Sequence, residues 1–93
     1  MKKKVPPPRK EIDFSIVSDK ISSGDWRVER VNGNTYTLLY ASDEQRSEKI
    51  GEVHLNGDPI GAQVTFNFGL LLNVGDLDDI AILLRELNKQ MEA

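Results

Sequence analysis

The 93-residue chain has no cysteine, a single histidine, a single tryptophan, and no Lys or Arg between Gly51 and Leu84. Each scarcity removes a class of chemistry. Without thiols there are no disulfides, no thiolate metal sites and no cysteine nucleophile. With His54 as the only imidazole a multi-histidine metal centre is excluded, and nothing near it supplies a catalytic partner at defined spacing. No serine stands in a Gly-x-Ser-x-Gly context. Long apolar runs are missing too, since no stretch approaches the ~18 consecutive apolar residues of a membrane span. Lys2, Lys3 and Lys4 lead into Pro6, Pro7 and Pro8 rather than into the apolar centre of a secretory signal. These absences lead us to expect a soluble, cytoplasmic, non-enzymatic chain that holds no metal and no cofactor.

What is present is ordinary in amount and uneven in placement. Apolar residues at 39% and charged residues at 29% suit one small globular domain. The net charge is −3, yet the first ten residues carry five positive charges and no acid, which leaves −8 on residues 11–93. Residues 1–10, with three consecutive prolines and nothing to bury, read as a disordered basic arm, and residues 11–93 as a single domain.

Alternating apolar residues mark the strands. Ile12, Phe14 and Ile16 suggest a first strand ending near Val17, and Ser18 to Asp25 has loop composition. Trp26 to Val31 and Thr35 to Ala41 form the best hairpin signal, because Asn32-Gly33-Asn34 between them accepts the positive φ angles of tight turns. Ser42 to Glu48 reads as a polar loop or a short exposed turn of helix, and Ile50 to Leu55 as a weaker strand interrupted by Gly51. From Ile60 the even positions Ala62, Val64, Phe66 and Phe68 are apolar and the odd ones polar, the pattern of a half-buried strand. The parity continues to Val74, but fifteen extended residues would span about 50 Å, so a bend is expected at Gly69.

The C-terminal run is helical. Asp76 suits the N-cap, Asp78 and Asp79 the first turn, and Arg85 and Lys89 the C-terminal half. Leu77, Ile80, Ala81, Leu83, Leu84, Leu87 and Met91 form a stripe about 160° wide, against about 100° for an ordinary surface helix, while Ile82 projects from the polar side. The expected fold is therefore α+β: an antiparallel meander of four to five strands, covered on one face by a single amphipathic helix. Phe14, Trp26, Tyr36, Tyr40, Val64, Phe66 and Phe68 would face that helix. Asp13, Ser15, Arg27, Glu29, Thr35, Thr37, Gln63, Thr65 and Asn67 would form the polar outer face.

Two functional readings emerge. The wide helical stripe suggests an interaction module that binds a protein partner or a second copy of itself through the sheet surface and Ile82, Leu83, Leu87 and Met91. The alternative is a single-stranded nucleic-acid binder using Lys2, Lys3, Lys4, Arg9 and Lys10 of the arm with Arg27 and Arg30 of the hairpin, beside Trp26, Tyr36 and Tyr40. Strands followed by the helical run Leu70 to Gln90 resemble in outline the Whirly and positive-cofactor class of single-stranded-DNA-binding domains, which dimerise through that helix. The resemblance is confined to the order of elements. Those domains carry basic residues through their strands, whereas residues 51–84 here carry none, and the acidic body repels an anionic ligand.

Overall fold

The computed structural model of the protein describes residues 13–43, 46–67 and 69–92. The basic arm with Lys2, Lys3, Lys4, Arg9 and Lys10, and the core candidate Phe68, lie outside the described residues. Five strands, β1 (Lys20–Ser23), β2 (Trp26–Asn32), β3 (Thr35–Asp43), β4 (Arg46–Gly57) and β5 (Ile60–Phe66), pair antiparallel in sequence order and are followed by the helix α1 (Val74–Glu92). This is the α+β meander the alternation implied. The register sets Trp26 opposite Tyr40, Val28 opposite Leu38 and Arg30 opposite Tyr36, so one face of β2 and β3 is apolar and aromatic.

That face closes on α1. Trp26, Val28, Tyr36, Leu38, Val53 and Leu55 of the sheet bury with Ile80, Leu83, Leu87 and Met91 of the helix in one core, and Val17 joins them from ahead of β1. Burying the four helix side chains contributes about 6–12 kcal/mol before conformational entropy is deducted. The helix packs on β5 at one edge of the sheet and on β1 and β2 at the other. It is fastened at both sides: Asn88 Oδ1 accepts from the Ala62 N–H at 2.7 Å, and Gln90 Oε1 from the Ser18 N–H at 2.6 Å.

Several local expectations are corrected. Phe14–Ile16 is a short 3-10 turn rather than a strand, because the Asp13 carboxylate accepts from the Ser15 N–H at 3.0 Å and its hydroxyl at 2.5 Å, a local cap that outcompetes extension. Ser18–Asp25 is not all loop, since it holds β1 and a tight turn. Only Ile21 of β1 is strongly apolar, and pairing with β2 rather than any pattern of its own makes it a strand. Gly24 has φ +59 in that turn, and an added Cβ there would lie 2.4 Å from the Asp79 carboxylate. The Asn32-Gly33-Asn34 hairpin forms where expected, but with no positive φ; a register shift between Arg30 and Asn32 accommodates the reversal instead. Ser42–Glu48 is largely drawn into β3 and β4, whose ladder reaches Asp43 opposite Arg46, because backbone pairing does not depend on apolar side chains.

On β5, Ala62, Val64 and Phe66 pack against the core while Ile60 stays exposed, and after the strand the chain turns at Gly69, φ +82. The helix starts earlier than Asp76. Asn73 is its cap: its Oδ1 accepts from the Asp76 N–H at 2.9 Å, and Asp76 Oδ2 accepts from the Asn73 N–H at 3.1 Å. Asp76 thus closes a reciprocal capping box from the third helical position.

Gly51, which weakened the strand pattern, is a packing requirement. It lies between Leu38 of β3 and Phe66 of β5, and a Cβ there would stand 2.2 Å from the Thr65 carbonyl oxygen. Gly51→Ala is expected to lower stability by about 1–3 kcal/mol, measured by urea denaturation, whereas the same change at Gly61, with open space around it, should lower it by clearly less.

Candidate functional site

The outer face of the sheet carries the charged and titratable groups in mutually neutralising pairs. Arg27 Nε lies 2.7 Å from Glu29 Oε2, Lys49 Nζ 3.1 Å from Glu52 Oε1, and His54 Nε2 3.3 Å from Glu52 Oε2. The other ring nitrogen of His54 is 3.4 Å from Thr35 Oγ1. Glu52 and His54 are thereby tied into a surface cluster, each side chain 42% exposed. Among the described residues no three His, Asp or Glu side chains gather as a metal site. The hydrogen bond from Lys49, then its charge, with a smaller contribution from His54, holds the Glu52 carboxyl below its ordinary 4.5. A group with a depressed folded-state pKa stabilises above its unfolded value and loses that contribution as the pH falls through the folded one. Carboxyl NMR titration should accordingly place the Glu52 midpoint below 4.5, and Lys49→Ala should raise it.

The two strand arginines proposed for nucleic-acid contact point to opposite sides. Arg27 is on the outer face with Glu29. Arg30 is on the core side, its side chain only 14% exposed, and clasps the segment ahead of β1. Its Nε donates to Asp19 Oδ1 at 2.7 Å, its Nη2 to the Phe14 and Val17 carbonyls at 2.8 and 2.6 Å, and its Nη1 to the Gly33 carbonyl. The guanidinium also lies 4.9 Å from the Tyr36 ring centroid, and the Tyr36 hydroxyl donates to the Ser18 carbonyl at 2.7 Å. These donors are spent inside the molecule. Arg30→Met, which keeps the length of the stem and removes the charge, should destabilise by about 2–3 kcal/mol and loosen residues 14–19, read as faster amide exchange there. The aromatic candidates are spent likewise: Trp26 is buried, packs against Tyr40 with ring centroids 5.0 Å apart and planes tilted by 53°, and donates from Nε1 to Asp76 Oδ1 at 3.1 Å.

The three helix aspartates divide by role. Asp76 caps the helix and holds Trp26. Asp79 accepts from Ser23 Oγ at 3.4 Å, tying α1 to the β1–β2 turn. Asp78 is exposed.

On α1 the expected partner surface is reorganised. Leu83, Leu87 and Met91 are buried in the chain's own core; only Ile82 of that set is exposed, at 50%. The stripe looked broad because one helix meets both edges of the sheet, which takes apolar residues from a wide arc. Other exposed apolar residues near the helix are Leu71 at 96% before it, and Val74 at 72% and Leu77 at 49% in its first turn; Ile16, Val31 and Ile60 are exposed singly elsewhere. Leu77 was assigned to the core by periodicity, and Leu71 and Val74 carried no signal that separated them from strand residues. Between Ile82 and β1 runs an open groove of about 380 Å³ with Ile21 and Leu83 in its walls.

No protein-family model, curated protein or solved structure matches this chain. No helix among the described residues is long and apolar enough to cross a membrane.

Proposed function

We propose that the protein is a non-enzymatic interaction module that docks a protein partner, or a second copy of itself, on the outward side of α1. The observation that carries this reading is the set of exposed apolar side chains Val74, Leu77 and Ile82 on α1, with Leu71 just ahead of it. Burying each of the three helical ones would contribute about 1–2 kcal/mol, in the range of a weak, reversible contact. The charges on the same side support self-association. Asp78 lies in the N-terminal half, and Arg85 and Lys89 in the C-terminal half, all exposed. Two helices packed antiparallel about a twofold axis between Ala81 and Ile82 would set Asp78 of each copy opposite Arg85 of the other.

Arg27 and Arg30 are both engaged within the chain, which takes from the nucleic-acid reading the two hairpin cations it relied on. Sedimentation velocity over a wide concentration range tests the self-association. The wild-type chain should grow in mass as concentration rises, and Ile82→Asp and Val74→Asp should each hold it monomeric without unfolding it. A chain that stays monomeric throughout removes the second copy as partner, and turnover by the purified chain overturns the non-enzymatic reading.

A further inference from the structure

The two edges of the sheet are treated differently. The Asn67 N–H donates to the Ile50 carbonyl, which with the β4–β5 register turns the N–H and C=O of Ala62 away from β4 and out to the edge. There Asn88 of α1 takes the Ala62 N–H, so the helix blocks β5 at its middle. On the other edge the Arg30 N–H donates to the Asp19 carbonyl at 2.8 Å and the register continues through Lys20 opposite Glu29 and Ser22 opposite Arg27. Asp19, Ile21 and Ser23 therefore direct their backbone groups at β2, and Lys20 and Ser22 direct theirs outward. Neither finds a partner among the described residues. Beside these open groups lies the groove between β1 and α1, with Ile21, Ile82 and Leu83 as apolar walls and the Glu86 carboxylate further along it. The only contact of that carboxylate among the described residues is the Gln90 amide at 3.5 Å.

We infer that the β1 edge accepts an extended segment of a partner protein as a sixth strand, whose groove-facing side chains lie against α1. This rests on the interaction-module reading and specifies a second docking position and the chemistry of its occupant. Unpaired N–H and C=O groups at alternate residues demand an extended backbone. The groove demands an apolar side chain opposite Ile21, in contact with Ile82. One helical turn from Ile82 to Glu86 is about 6 Å, close to the roughly 6.8 Å between alternate residues of a strand. The next groove-facing residue of the partner is then basic, paired with Glu86. Residues on the other face pass the exposed Lys20, where an acidic or neutral side chain is favoured. The recognised segment is thus apolar-x-basic in an extended conformation.

A random peptide library panned against the full chain tests this. Enriched peptides should share the apolar-x-basic alternation and slow amide exchange at Lys20 and Ser22. Ser22→Pro should weaken them by more than about tenfold, because the Ser22 N–H takes no part in the ladder to β2 and proline is tolerated at such an edge. Should circular dichroism show that this variant does not fold, the exchange footprint decides. The inference is overturned if no peptide is enriched, if enriched peptides bind Ser22→Pro unchanged, or if Ser22→Pro instead dissociates a homodimer, which would assign the edge to a second copy. Peptides that protect the Val74 and Leu77 amides alone would overturn the edge site and leave the interaction-module reading standing. Absence of any peptide from a chain that is also monomeric would remove support from both.

Discussion

Everything in this fold depends on one helix being shared by the two edges of a sheet. A five-stranded antiparallel meander has one apolar face and nothing of its own to cover it. α1 covers it with Ile80, Leu83, Leu87 and Met91, and side-chain amides at Asn88 and Gln90 take up the backbone N–H groups of Ala62 and Ser18 on opposite sides. The same helix that covers the core therefore also positions the edges. Asp76 and Asp79 complete the fastening at the helix start, where Trp26 and Ser23 reach them.

This arrangement leaves two surfaces of different character. The outer face of the sheet is polar and internally neutralised, with Arg27 against Glu29 and Glu52 between Lys49 and His54. Such a face presents no field of one sign to steer a charged ligand. The outward side of α1 and the groove next to it expose Leu71, Val74, Leu77 and Ile82 instead. Both proposals lie where the helix faces solvent and where β1 ends the sheet.

Arg30 shows how a residue type can mislead. An arginine three positions from another, among aromatics, fits a phosphate-binding hairpin. In the fold its guanidinium is enclosed by backbone carbonyls and Asp19, and it serves to attach the irregular segment of residues 14–19 to the sheet. Nothing local to Arg30 distinguishes the two roles, because its acceptors come from residues 11 to 16 positions upstream and from the turn after it.

The sequence by itself determined the α+β class, the C-terminal helix, the β2–β3 hairpin and the core positions Trp26 and Tyr36, because these follow from periodicity and turn chemistry acting over a few residues. Tertiary structure decided the rest. β1 exists because β2 offers it a ladder, Phe14–Ile16 coils because Asp13 caps it, and Gly51 is a glycine because β5 passes too close for a Cβ. It also decided which helix residues remain outside. A helical stripe records how much apolar surface is buried, but not against what, and only the packing of α1 on the sheet separates the enclosed Leu83, Leu87 and Met91 from the exposed Leu77 of the same stripe.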